Sequence, residues 1–103
     1  MTVRERNIQL PLDQIQDFCR RNPIQKLSLF GSVLRDDFQD RSDVDFLVEF
    51  LPGSRMTYFS MADMESELES IVHRKVDLRT PQEIHERFRQ RVLDSAEIIY
   101  AAD

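Results

Sequence analysis

The chain has 103 residues, a formal net charge of −5 and a single cysteine. This length predicts one domain with a modest core, too short for a catalytic unit joined to a separate acceptor-binding domain. The negative charge opposes tight binding to a phosphate backbone, which makes nucleic acid a poor partner. No internal disulfide is possible, no segment has the character of a secretion signal, and no stretch approaches the ~20 apolar residues that span a bilayer, so we expect a cytoplasmic protein without membrane contact.

The first predicted element is an amphipathic helix from about Pro11 to Arg21, which Asn22-Pro23 ends. Its apolar residues recur at helical spacing and are Leu12, Ile15, Phe18 and Cys19. We expect this side of the helix to cover a sheet. In that position Cys19 is interpreted as a buried packing residue rather than a nucleophile.

A strand is predicted from about Lys26 to Phe30, and it ends at the pair Gly31-Ser32. Glycine lets the backbone come close to a ligand, and a serine hydroxyl with exposed N–H groups at such a turn can bind phosphate oxygens. Arg35 adds positive charge one turn later. The segment 33–38 is interpreted as the start of a short helix.

A charged loop from Asp36 to Arg41 is polar enough to be mobile, and the second predicted strand follows from about Val44 to Glu49. Asp43 and Asp45 then point the same way, because side chains on a strand alternate with period two. Two neighbouring carboxylates repel each other unless a cation lies between them, and hard oxygen ligands suit Mg²⁺. The pair therefore predicts a magnesium site.

A turn at 51–54 leads into a second long helix, which ends near His73. Its apolar stripe consists of Met61, Met64, Leu68, Ile71 and Val72. Acidic residues lie mostly toward solvent in this interpretation, and they are Asp63, Glu65, Glu67 and Glu69. Neither His73 nor His85 has a second ligand at metal spacing, so both are expected to have surface roles.

A third strand, from about Val76 to Leu78, carries Asp77. Thr80-Pro81-Gln82-Glu83 then combines a threonine cap, a proline at the first helical position and a glutamate three residues after the cap, which predicts a helix start. This helix continues to about Leu93, and its packed stripe consists of Ile84, Phe88 and Val92. A basic cluster on it is interpreted as a solvated face or a partner contact and consists of Arg87, Arg89 and Arg91.

The last segment, 96–101, is compatible with more helix or with a strand, and the β-prone run Ile98-Ile99-Tyr100 favours the strand. The sum of these elements predicts an α/β (α+β) fold in which helices pack against one small mixed sheet. If Asp77 faces the same side as Asp43 and Asp45, the three carboxylates converge beside the Gly-Ser turn.

The Gly-Ser pair followed by Asp-x-Asp resembles the nucleotidyltransferase motif, and with the short length the chain resembles the minimal nucleotidyltransferases (MNT) of the DNA polymerase β-like superfamily over nearly all its residues. The resemblance implies a polymerase β-like fold in a single domain, 1–103. It implies that ATP is held by Gly31, Ser32, Arg35 and Ser42. It also implies that Mg²⁺ and catalysis depend on Asp43, Asp45 and Asp77.

Minimal nucleotidyltransferases often act as antitoxins that add AMP to a tyrosine of a HEPN-domain ribonuclease toxin, and the resemblance implies this activity and this partner. Two other functions stay open at this point. One is an antitoxin that masks the toxin surface without catalysis, and the other is transfer to a small molecule such as an aminoglycoside. A third interpretation is structural, since Gly-Ser alone is compatible with an ordinary turn and Asp43 with a solvated loop end.

Overall fold

The computed structural model describes residues 1–103 and contains four α-helices and four strands. The helices are α1 (Val3–Asn7), α2 (Leu12–Arg21), α3 (Tyr58–Val72) and α4 (Glu86–Ser95). The strands are β1 (Ile24–Phe30), β2 (Val44–Phe50), β3 (Val76–Arg79) and β4 (Glu97–Ala101). Two short 3-10 helices follow β1 and β3, at Gly31–Leu34 and Pro81–Glu83. No helix is long and apolar enough to cross a membrane.

The strands form one mixed sheet in the order β3-β2-β1-β4. β1 is antiparallel to both β2 and β4, while β2 and β3 are parallel. The predicted mixed sheet is confirmed, and so is the strand interpretation of the last segment. Because β2 and β3 run the same way, residues near the beginnings of both strands meet at one edge of the sheet.

The hydrophobic core lies between one face of the sheet and helices α2 and α3. Period-two alternation sends Val44, Phe46 and Val48 of β2 into this core. α2 contributes Ile15, Phe18 and Cys19, and α3 contributes Met64, Leu68 and Val72. Burial raises the pKa of the Cys19 thiol to about 12, so the thiol stays protonated and Cys19 is a packing residue, as the helical pattern predicted.

Two features near the first strand differ from the sequence-based expectation. The short helix predicted to begin over 33–38 is present as a 3-10 helix, but it lies earlier, at Gly31–Leu34, and Arg35 is already extended, with φ −119° and ψ 164°. The short helix α1 was missed, although Thr2 and Glu5 form a reciprocal capping box at its start.

The C-terminal helix also departs from its prediction. Thr80 and Glu83 form the predicted capping box, but Ile84 is extended and ends that turn as a 3-10 helix. α4 begins at Glu86, where the His85 Nδ1 accepts the Arg87 N–H at 3.1 Å. No residue of α4 is buried and Phe88 is 49% exposed, so the predicted packed stripe is wrong.

Arg89 is not part of a solvated basic face. Its guanidinium folds back onto the preceding 3-10 turn and donates to the carbonyl oxygens of Pro81 and Ile84, at 2.8 and 3.0 Å. The Pro81 carbonyl oxygen also accepts the Ile84 N–H within the turn, whereas the Ile84 carbonyl oxygen lies at the end of the turn, and Arg89 supplies it with a donor. The basic cluster therefore contributes one of its three arginines to a local cap.

Two glutamates of α3 have a structural role at the edge of the sheet. Glu65 accepts the N–H of Leu78 at 2.8 Å, and Glu69 accepts the N–H of Val76 at 3.0 Å. These N–H groups lie on the outer side of β3, where no further strand pairs with them. The expectation that both side chains lie toward solvent is wrong, because they replace the missing neighbouring strand.

Candidate active site

Asp45 lies directly beside the Gly-Ser turn. Phe30, the last residue of β1, pairs with Asp45 of β2, so the next residue, Gly31, lies beside the Asp45 carboxylate. Gly31 has φ +78°, and a Cβ atom built on it would collide with the Asp45 carboxylate. The position therefore requires glycine for its backbone conformation and for the close approach to Asp45.

Asp77 is the cross-strand neighbour of Asp45. The two residues are paired in the parallel register of β2 and β3, which places their side chains on the same face of the sheet. Asp43 lies two positions before Asp45. Burial, followed by the charges of Asp77 and Asp43, raises the pKa of Asp45 from 3.8 to about 6.

Asp77 has a positively charged partner. The Nε of Arg79 donates to Oδ2 of Asp77 at 3.0 Å, and this hydrogen bond raises the pKa of Arg79. Arg79 thus offsets part of the negative charge of the carboxylates. No group of three His, Cys, Asp or Glu side chains stands close enough together to hold a metal ion. The carboxylates still fit Mg²⁺ by chemistry, since they are hard oxygen donors and Mg²⁺ is usually held by one or two carboxylates together with substrate phosphates. Asp45 also carries its charge at a cost in free energy, which a cation would offset.

The turn itself is a single 3-10 helix, Gly31–Leu34, closed by the Arg35 N–H donating to the Ser32 carbonyl oxygen at 2.9 Å. The side chain of Arg35 is exposed and pairs with Asp37 at 3.2 Å. Its charge is close enough to lower the pKa of Asp45, against the larger opposing effects. We refer to Asp43, Asp45 and Asp77 together as the carboxylate cluster. Arg35 lies at its margin.

Ser42 belongs to the loop that joins the two halves of the site. Its Oγ accepts the Gln39 N–H at 3.0 Å, which leaves the hydroxyl proton free to donate. Arg74 donates to the carbonyl oxygens of Gln39 and Ser42, at 3.0 and 2.7 Å, and lies 4.8 Å from the Phe38 ring centroid. The charged loop is thus held at its C-terminal end. No local signal predicted Arg74, which is 32 residues from Ser42.

The chain is similar to known nucleotidyltransferases over most of its length. The family model described as polymerase beta, nucleotidyltransferase matches residues 13–103. A candidate protein adenylyltransferase of Methanocaldococcus jannaschii, MJ0435, is 32% identical over 76 residues, which are 74% of this chain and 80% of the relative.

Two solved structures have a similar fold. A candidate minimal nucleotidyltransferase superposes with a TM-score of 0.68 at 28% identity and covers 93% of this chain and 94% of its own. The complex of a tri-AMPylated Shewanella oneidensis HEPN toxin with an MNT antitoxin gives a TM-score of 0.65 at 20% identity, covering 96% of this chain and 73% of the other. Both structures share the fold of this chain, and the family model matches most of its sequence. The chain therefore belongs to the polymerase beta nucleotidyltransferase family.

Proposed function

We propose that this protein is a magnesium-dependent protein adenylyltransferase, formed by a single minimal catalytic domain, that transfers AMP from ATP to a hydroxyl group of a HEPN-domain toxin and so acts as its antitoxin. The observation that carries the proposal is the contact between Gly31 and Asp45, with Asp77 paired beside Asp45. The relative MJ0435 supports the reaction class, and the AMPylated HEPN toxin in the similar complex supports the partner.

The residues of the Gly-Ser turn would bind the triphosphate. Gly31 allows the close approach, Ser32 offers a hydroxyl, and Arg35 contributes charge from the margin of the site. Ser42 has a hydroxyl proton free to donate to the nucleotide while it accepts from Gln39. These groups would hold ATP with its α-phosphorus toward the carboxylates.

The carboxylates of Asp43, Asp45 and Asp77 would hold Mg²⁺, which supplies charge neutralisation at the phosphates when bound. The acceptor oxygen attacks the α-phosphorus, an O–P bond forms, and the bond to the β-phosphate oxygen breaks to release pyrophosphate. Asp77 is the candidate to take the hydroxyl proton, oriented by its hydrogen bond from Arg79. A protein hydroxyl, such as that of tyrosine, is the proposed acceptor.

Intact-mass spectrometry of the toxin tests this function. A HEPN-domain toxin that forms a complex with the chain is incubated with the chain, ATP and Mg²⁺, and the expected result is a gain of one or more AMP masses on the toxin. The double variant Asp43→Asn/Asp45→Asn should give no gain. The matched control is Asp40→Asn/Asp63→Asn, which removes two exposed carboxylates outside the cluster and should keep transfer.

Two outcomes would contradict catalysis. A stable complex with no mass gain would show that the toxin is masked rather than modified. A mass gain with the Asp43/Asp45 variant would place the metal site elsewhere in the molecule.

A further inference from the structure

The side-chain amide of Asn7, at the end of α1, holds the Gly-Ser turn from outside. Its Nδ2 donates to the carbonyl oxygen of Val33 at 2.9 Å and to that of Arg35 at 2.8 Å. Both partners are acceptors, so only the NH2 end of the amide satisfies them. One side chain thus links two peptide groups of the segment 31–35, which follows β1 and contains the candidate phosphate site.

α1 is itself fixed near its start, by a cap and by an ion pair to the sheet. The capping box of Thr2 and Glu5 begins the helix. Arg4 forms an ion pair with Glu97 of β4 at 2.8 Å, with side chains only 13% and 31% exposed. A helix of five residues is unstable alone, and these contacts give it a defined place against the sheet. Asn7 is therefore presented to the turn by a fixed element.

α1 lies before residue 13, where the match to the nucleotidyltransferase family model begins. The Gly-Ser turn is short, with one 3-10 helix between an extended Phe30 and an extended Arg35. Such a turn has few hydrogen bonds of its own to fix the direction of its N–H groups. The contacts from Asn7 supply what the turn lacks.

We infer that Asn7 is a positioning residue that keeps the Gly-Ser turn in its nucleotide-binding conformation; this inference rests on the proposed function of that turn. Asn7 acts through the carbonyl oxygens of Val33 and Arg35 and does not itself contact the nucleotide. Phosphate groups are bound most tightly when the donors are already oriented, because no ordering cost is then incurred on binding. Loss of the amide should weaken nucleotide binding.

The test uses the full chain and the probe AMP-PNP with Mg²⁺, titrated by isothermal calorimetry. Asn7→Ala should raise the Kd about five- to tenfold with unchanged stoichiometry, the effect expected for two lost hydrogen bonds. Asn7→Gln keeps the amide and should recover part of the affinity. Gln14→Ala is the matched control, because Gln14 carries the same kind of amide, is exposed on α2 and supports neither α1 nor the turn.

Whether Asn7→Ala changes the Kd or the stoichiometry of AMP-PNP binding distinguishes a positioning role from simple misfolding. A merely structural role would lower the fraction of competent molecules and leave the Kd of the remainder unchanged, and that result would overturn the inference. An equal rise in Kd for Gln14→Ala would overturn it as well.

Amide hydrogen exchange of the nucleotide-free protein separates this inference from the proposed function. Asn7→Ala should speed exchange in the Gly31–Leu34 turn and leave β1 and β2 protected, whereas unchanged exchange in the turn would overturn the inference. If the wild type binds no AMP-PNP, the nucleotide role of the turn fails and the inference fails with it, even where exchange shows the contact. Failure of toxin labelling alone, with the Kd shift observed, would overturn only the proposed transfer.

Discussion

Gly31 is the residue at which backbone conformation and site chemistry depend on each other. Gly31 and Gly53 both have positive φ, at +78° and +84°, but only Gly31 faces a carboxylate, and a Cβ at Gly53 would meet nothing within 4 Å. Alanine at either position should lower the free energy of unfolding by about 1 kcal/mol, measured in urea. Only Gly31→Ala should also abolish calorimetric binding of AMP-PNP with Mg²⁺, since its methyl group displaces Asp45.

Gly53→Ala is the control in this pair. Nucleotide binding that is equally impaired in both variants would show that strain alone is responsible. Nucleotide binding retained by Gly31→Ala would show that the position of the Asp45 carboxylate does not matter.

Asp45 should make the metal-free protein less stable as the pH rises. Its pKa is about 6 in the folded chain against an ordinary 3.8, so the folded state binds more protons between these values. The free energy of unfolding is therefore higher at about pH 4, where the Asp45 carboxyl is neutral in the folded state, and it falls as the pH rises through about 6. Asp45→Asn should therefore stabilise by about 1 kcal/mol at pH 7.5, after allowance for solvent screening of a half-buried group.

Urea unfolding in EDTA at several pH values measures this effect. The advantage of Asp45→Asn should shrink toward zero near pH 4. A constant difference at all pH values would mean that packing, rather than charge, separates the two proteins.

At the scale of elements, the two glutamates of α3 protect the outer edge of β3. Glu65→Ala removes the acceptor of the Leu78 N–H and should lower the free energy of unfolding by about 1 to 2 kcal/mol. Asp63→Ala removes an exposed carboxylate from the same helix and should change it little. Urea unfolding gives both values, and equal losses would mean that helix charge, not the edge hydrogen bond, is the cause.

Predictions of elements from the sequence succeeded where one short-range signal decided the structure. Strands β1 to β3 followed from β-branched and apolar runs, and the box of Thr80 and Glu83 from its spacing. The predictions failed where a neighbouring segment imposed another conformation. The short helix expected over 33–38 stops at Leu34, and the carbonyl oxygens of Val33 and Arg35 accept the Asn7 amide instead of N–H groups of a continuing helix.

The same distinction applies to α4. Its apolar spacing predicted a packed stripe of Ile84, Phe88 and Val92, but no residue of α4 is buried, Phe88 is exposed, and the helix packs mainly against the 3-10 turn before it. Periodicity shows that a helix has an apolar side, and it does not show that another element is present to cover that side.

For the whole molecule, the two faces of the sheet have different tasks. On β2, Val44, Phe46 and Val48 point into the core with α2 and α3, while Asp45 points to the opposite face. This alternation lets one short strand stabilise the fold and carry a charged group. Asp43, Asp45 and Gly31 were predicted from the sequence as candidate site residues because their motif lies in one continuous stretch.

The sequence by itself determined the mixed α/β architecture, the core sides of α2 and α3, and the residue types of the site, because periodicity, capping and motif spacing are properties of short segments. Tertiary structure alone decided that Asp77 pairs with Asp45, and that Asn7 and Arg74 hold the segments around the Gly-Ser turn. The physical reason is that strand register and loop anchoring depend on contacts between residues far apart in the sequence, and the pattern of a short segment does not specify those contacts.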